Sequence, residues 1–441
     1  MTFTKSILLG SAAALAAVAG ASAADLPSKK AAPAQYVKIC DAAGAGYFYI
    51  PGSDTCLKIS GYAELDVVYN TLRNTYTYSP AVAAVVGPPS SPSIPAGIKG
   101  TSAASRNNNT FGVDTEIQLD AVTKTSWGNL HTYIAFEAVN GGGNAYLDNA
   151  YLEFAGITAG KHESFYHNIG GLYSGYQTPD YATNLLAYTA SFGGGFSATV
   201  SLEDPIGPGR SVFGGTLNGT RVPDIIGALR VKQGWGEASL IGGYHQTTYS
   251  ENVSALPVGT VTNHSVAGYG VMGYISVNLP MLAAGDSIAF QAAWERNALR
   301  FGGIGGSSVN GWQNSNYDVY YSTANLQAYN QSGYSLLGYF KHNWTPSVSS
   351  EIEGSYGVVN YAANGLATTS PFVNSYSEWR IGHLLAWHPV KNMEIGLDTA
   401  YQHYHNKWNA AQIASGLFIP ANGIKTNEND FRVQLRLKAS F

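Results

Sequence analysis

Basic side chains recur on one parity near the end of the chain: Arg432, Arg436 and Lys438 alternate with apolar residues in DFRVQLRLKASF. On an extended strand that spacing puts all three on one face. Lys58 falls on the polar parity of an early segment that also holds Glu64 and Asp66, and Arg380 occurs on a segment two strands from the end. Asp114, Glu116 and Asp120 extend the acidic set by the same alternation. Charges lined up along a confined aqueous path do no bond chemistry. They bias which ions pass, because a narrow channel screens them less than an open surface does.

Nucleophilic, metal and cofactor chemistry find less support. His403 and His405 share a face just beyond Tyr401, where a strand would leave a membrane, and read as a solvated rim rather than a ligand pair. His383 shares an apolar face with Ile381 and Leu385. That is either a slipped register or a residue buried between subunits, since a polar group is costly against lipid. Ser350 with His383 is the one nearby Ser/His pair of suitable parity for a hydrolase, but no residue orients the histidine and no Gly-x-Ser-x-Gly elbow occurs. The expectation is therefore no enzyme, no cofactor and no metal. A net charge of −4 without a polybasic run also argues against nucleic acid as a partner.

The N-terminus sets the compartment. Lys5, the short apolar run Ile7 to Ala19 and the Ala21-Ser22-Ala23 pattern form a secretory signal peptide over 1–23. Cys40 and Cys56 are then an even pair in an exported chain, which predicts one disulfide. It would close a loop of about 15 residues, worth roughly 3 kcal/mol in the chain-entropy description. Residues 24–56 are expected to form a periplasmic segment, with a membrane-spanning barrel over 57–441.

The elements that must position the charges are strands. After the signal peptide no apolar run is long enough for a transmembrane helix, so only a closed barrel could span a bilayer. Charged residues make up 12% of the chain and aromatics 12%, a balance suited to one face in lipid and one in water. In the last segment Phe431, Val433, Leu435, Leu437, Ala439 and Phe441 oppose Asp430, Arg432, Gln434, Arg436, Lys438 and Ser440. In the first, Leu57, Ile59, Ala63, Leu65, Val67 and Tyr69 oppose Lys58, Ser60, Tyr62, Glu64 and Asp66.

The alternation predicts sixteen strands, at 57–70, 110–123, 129–139, 145–156, 157–162, 184–192, 196–203, 224–233, 236–247, 265–279, 286–296, 334–343, 348–360, 376–388, 393–405 and 430–441. Short Gly-, Pro- and Asn-rich turns mostly alternate with long connections, the asymmetry of periplasmic turns and external loops. The stretch near Asn140 to Asn144 is short where a long loop is expected. Trp379 and Trp387, on one face of a strand, would stand roughly 19 Å apart along the membrane normal, close to the separation of two interfacial girdles.

KICDAAGAGYFYIPGSDTCLKISGY, Lys38 to Tyr62, resembles the N-terminal signature of the alphaproteobacterial outer-membrane porin family. NAYLEFAGITAGKHESF, Asn149 to Phe165, resembles that family's strand leading into its constriction loop, and RVQLRLKASF resembles a porin closing strand. The resemblance implies an all-β, sixteen-stranded antiparallel transmembrane barrel with long external loops and one loop folded into the pore. It implies a homotrimer in the outer membrane of a Gram-negative bacterium, in contact with lipid and lipopolysaccharide, passing ions and small hydrophilic solutes by diffusion. Phe441 would be the residue read by the barrel-assembly machinery. Glu163 to about Thr183 would form the inward loop, offering Glu163, His167 and Asp180 to a facing wall of Lys58, Arg380, Arg432, Arg436 and Lys438. The short second external connection departs from general porins, in which that loop latches onto a neighbouring subunit.

Overall fold

The structure is a computed structural model. It describes residues 38–71, 75–79, 97–101, 109–139, 144–167, 182–205, 212–213, 215–219, 221–251, 263–303, 318–322, 327–361, 375–407 and 427–441. The signal peptide and Asp180 lie outside the described residues.

Sixteen long strands form the wall: β1 Thr55–Asn70, β2 Asn109–Thr125, β3 Gly128–Ala138, β4 Tyr146–Phe154, β5 Ile157–Glu163, β6 Ala182–Gly193, β7 Phe196–Glu203 and β8 Asp224–Gln233, then β9 Gly236–Glu251, β10 Asn263–Asn278, β11 Ser287–Arg296, β12 Gln327–Thr345, β13 Val348–Tyr361, β14 Ser375–Trp387, β15 Met393–Lys407 and β16 Asn427–Ser440. Each pairs antiparallel with its sequence neighbour. β1 also pairs with β16, from Tyr62↔Ser440 to Asn70↔Arg432, which closes the barrel. Closure leaves no unpaired edge, the condition for a sheet in a bilayer. Every expected segment corresponds to one strand. The largest differences in extent are at loop-side ends: β12 begins at Gln327 and β9 runs to Glu251.

Tight turns join the strands at the end where β1 begins. The β4–β5 turn is two residues, Ala155 (φ 51°) and Gly156 (φ 86°), both left-handed as a short hairpin requires. Large apolar side chains crowd this end: Trp127 between β2 and β3, Trp235 between β8 and β9, Trp344 and Trp387 near their turns, all exposed. A second ring follows the loop side of the outer wall. Tyr244 meets Tyr269 at 5.7 Å, Tyr334 meets Tyr356 at 6.1 Å, and Trp379 meets Tyr401 at 5.5 Å. Two aromatic girdles bracketing an apolar band mark the bilayer's two interfaces.

The segment before β1 and the residue after β16 are fastened at the turn side. Cys40 and Cys56 form the expected disulfide, with Cα atoms 5.9 Å apart. Phe48–Tyr49 pairs with Cys56 and Leu57, so the covalent link and a short ladder hold one small segment against β1. Burial, then the Asp120 carboxylate that accepts from its hydroxyl, pushes Tyr47 up to about 12. Phe441 exchanges backbone hydrogen bonds with Gly61, at 3.0 and 3.3 Å. A Cβ on Gly61 would lie 2.9 Å from the Phe441 ring and 2.4 Å from the Glu116 carbonyl oxygen, so only glycine fits there.

The alternation holds through most of the wall, with apolar departures inside, a small one at Ala289 and Leu337 and a larger one across β8–β11. Ile226 and Ala228 of β8, Ile241 of β9, Met272 of β10 and Ala293 of β11 fall on the inward parity and are buried. They form a cluster with Tyr166, Ala298 and Phe301, residues that belong to connections rather than strands. The β11–β12 connection opens with a single turn of 3-10 helix, Leu299–Gly302, that brings Phe301 over this patch.

Candidate functional site

The densest charge lies at the seam between β16 and β1. Register places Arg436 opposite Asp66, and Lys438 opposite Glu64. Arg436 donates from Nε to Asp66 Oδ1 at 2.9 Å and from its terminal nitrogen to Oδ2 at 2.7 Å, the two-pronged match of guanidinium to carboxylate. The same nitrogen is 2.7 Å from Glu64 Oε1, and Lys438 Nζ is 3.2 Å from Glu64 Oε2. Lys438 also sits 3.6 Å above the Tyr62 ring, whose hydroxyl donates to Glu137. Asp114 on β2 brings a third carboxylate within 4.8 Å of those of Glu64 and Asp66. The basic row and the acidic patch, read from the sequence as separate features, interlock into one ladder.

The other expected basic residues are spread around the wall. Arg432 stands opposite Asn70 and Ala400 and donates to Gln434 Oε1 at 2.7 Å. Arg380 is buried on β14, with Gln402 opposite on β15. Lys58 stands across from Asp120 in the β1–β2 register, and its stem passes beneath Gly46 of the N-terminal segment. At ~3.3 Å per residue it lies roughly 20 Å below Glu64, so it does not join the Arg436 cluster.

Where the segment after β5 is described, it turns into the lumen at Ser164–Tyr166. Glu163 ends β5 opposite Ala182 and is exposed. It closes the strand at its loop-side end, on the parity of Ile157 and Ala159. Its neighbour His162 takes the inward side, edge-on to Tyr151 at 4.4 Å and stacked with Phe165 at 5.8 Å.

Beyond Glu163 a buried carboxylate and a half-buried guanidinium seize the chain. Glu203 of β7 accepts from Ser164 Oγ at 2.6 Å and from the Phe165 N–H at 3.0 Å. Arg230 of β8 donates to the carbonyl oxygens of Phe165, at 3.1 Å, and His167, at 2.9 Å. His167 therefore contributes its backbone to this clamp. Between these anchors Tyr166, fully buried, stacks on Phe301 at 4.5 Å. Glycines make the seat: a Cβ on Gly270 would fall 2.3 Å from Phe301 Cβ, and one on Gly243 2.8 Å from its ring. The sequence signal for this seat was present in Ile226, Ile241 and Met272, apolar residues on an inward parity.

The hydrolase pair is not assembled. His383 lies on the exposed outer face opposite Ile352 and Thr399, with no slip of register. Ser350 stands opposite Leu385 and accepts from Trp344 Nε1 at 2.9 Å.

Residues 25–434 match the family described as the porin subfamily. Porin Omp2b of Brucella suis is 35% identical over 259 residues, 54% of this chain and 65% of that protein. Porin Omp2b of Brucella canis is 34% identical over 264 residues, with the same coverage. The alignment thus spans slightly under two thirds of these relatives' own length. The outer membrane channel DcaP of Acinetobacter baumannii has the same fold, with a TM-score of 0.60 over 89% of this chain and 99% of that one, at 14% identity. Closed barrel, paired girdles and relatives agree on a multi-pass barrel of a Gram-negative outer membrane, and the match over nearly the whole length means that the chain belongs to the porin subfamily.

Proposed function

We propose that this protein is a passive, water-filled channel for ions and small hydrophilic solutes. The observation that carries the reading is the chain turning into the lumen at Ser164–Tyr166, held there by Glu203, Arg230 and Phe301, on a barrel whose other inner faces are largely polar. Sixteen strands leave an aqueous bore, and an inward segment narrows it. Arg380, Arg432, Arg436 and Lys438 line one side of the narrowed path, with Glu64 and Asp66 interleaved. His167 belongs to the inward segment, and Lys58 guards the periplasmic mouth. Family membership points to a channel rather than a catalyst. Planar-bilayer recording of the purified protein tests this. Ohmic single-channel steps are expected; a folded barrel that never conducts overturns the reading and leaves a structural or adhesive surface barrel.

The working unit is a homotrimer. β5 is the shortest strand of the wall at 7 residues, and β4 has 9. Their outer faces carry Ala150 and Ala159 among Leu147, Leu152 and Ile157, without the loop-side aromatics found around β9–β15. A wall that is low, aliphatic and without that girdle suits contact with another subunit better than contact with lipid. His383, between the girdle residues Trp379 and Trp387, faces lipid. Export by the 1–23 signal peptide and recognition of Phe441 by the barrel-assembly machinery complete the route to the outer membrane, where the girdles contact lipid and lipopolysaccharide.

A further inference from the structure

We propose that His403 and His405 form a two-imidazole site for a late divalent transition-metal ion, Zn2+ or Cu2+, on the outer face of the barrel at its loop-side rim. The pair lies at the end of β15, one and two steps beyond the girdle residue Tyr401. Register sets His403 directly opposite Asn429 and His405 directly opposite Asn427 on β16. His403 Nδ1 is 2.6 Å from Asn429 Oδ1, and His405 Nδ1 is 2.7 Å from Asn427 Oδ1. An amide oxygen only accepts, so each Nδ1 carries the proton and each neutral ring presents a bare Nε2 lone pair. Fixing the tautomer through the second ring nitrogen is how proteins ready a histidine for a metal.

Two other histidines show the contrast. His131 is held through both nitrogens by Glu153 and Asp120, at 2.7 and 2.9 Å. His245 is held by Asp224 and Thr247, at 2.5 and 3.0 Å. Neither has a nitrogen to offer without breaking a bond. His403 and His405 do, and both are partly exposed. Alternate residues of a strand stand about 6.6 Å apart on one face. Two imidazoles leaning together close that span around an ion with bonds of about 2.0–2.1 Å. Trp379 stacks against the His403 ring at 5.9 Å and limits its rotation. Water fills the remaining positions, so the site is an open one. Imidazole donors favour Cu2+ over Zn2+ in the usual divalent order.

The test uses the full mature protein, folded in detergent, stripped with chelator and titrated with Cu2+ or with Zn2+ alone. One ion per chain is expected, with nitrogen hyperfine structure from two imidazoles in the Cu2+ resonance spectrum. The His403→Ala/His405→Ala double variant should bind at least tenfold more weakly. Asn427→Ala/Asn429→Ala should weaken binding by about tenfold while keeping both imidazole signals, the effect of losing orienting partners. Unchanged affinity and stoichiometry in the double histidine variant overturns the proposal. So does a wild-type spectrum without imidazole nitrogens, which stands even if a variant fails to fold. Neither result depends on whether the barrel conducts.

Discussion

Arg436 and Asp66 face each other across the seam that closes the barrel, joined by two hydrogen bonds of 2.9 and 2.7 Å. The first strand and the last thus neutralise each other's charge where they meet, and removing one partner leaves the other exposed to passing ions. Arg436→Gln should shift permeability towards cations and Asp66→Asn towards anions, while the double variant should return close to wild type. Arg432→Gln should act in the same direction as Arg436→Gln. The measurement is the reversal potential across a KCl gradient. Unchanged potentials in folded single variants would mean that this ladder does not line the ion path.

Why that ladder was legible follows from parity. Arg436, Lys438, Glu64 and Asp66 sit on strands with strict two-residue alternation, and a closed barrel must make those strands neighbours. What alternation could not supply is the depth of pairing, so the basic row and the acidic patch read as separate features when they are interleaved. The Tyr166 seat was hidden because connections carry no periodicity. Ile226 and Met272 face inward as apolar residues only because Phe301 and Tyr166, distant in sequence, cover them.

Phe301→Ala should loosen the inward segment without opening the barrel. It removes the ring stacked under Tyr166 and empties the furrow over Gly243 and Gly270, a large-to-small change of the kind that costs about 3–5 kcal/mol in a packed site. The ladder of the wall is untouched. Larger or noisier single-channel conductance is expected, with the heat-modifiable mobility of a folded barrel retained. A variant with wild-type conductance and noise would show that Phe301 does not hold the constriction.

Subunit contact can be mapped by single cysteines in a Cys40→Ser/Cys56→Ser background. Ala159→Cys, on the outer face of β5, should bring like residues of neighbouring subunits near enough for short bifunctional cross-links. His383→Cys, among girdle residues on β14, should not cross-link. Cross-linking from His383→Cys alone would move the interface to the opposite wall.

The Cys40–Cys56 link should matter to the segment before β1 more than to the barrel. Neither thiol should react with alkylating reagent unless the protein is first reduced. Cys40→Ser/Cys56→Ser should leave conductance intact while residues 38–54 become susceptible to protease. The chain-entropy value for such a loop, roughly 3 kcal/mol, is at least as large as what the two backbone pairs at Phe48 and Tyr49 contribute, at about 1 kcal/mol per hydrogen bond. Unchanged proteolysis would mean that packing beneath Tyr47 is sufficient by itself.

Asp286, in the turn before β11, should give the barrel an acid-sensitive fastening on its periplasmic side. Desolvation raises its carboxyl, but the Asn343 N–H at 2.8 Å, His342 Nδ1 at 2.6 Å and the Asn343 side chain outweigh it, and the group lies below the ordinary carboxylate range. A carboxyl whose pKa is lower folded than unfolded binds fewer protons in the native state, so stability rises with pH through that interval. The contribution is fully present above the unfolded value of about 3.9 and is lost as pH falls through the folded one. Asp286→Asn should therefore unfold at a lower temperature than wild type near neutral pH, and the gap should narrow below about pH 4. Thermal loss of heat-modifiable mobility, followed from pH 7 down to pH 3, measures it. A gap that stays constant across that range would mean that the carboxylate's charge is irrelevant and the turn is held by shape alone.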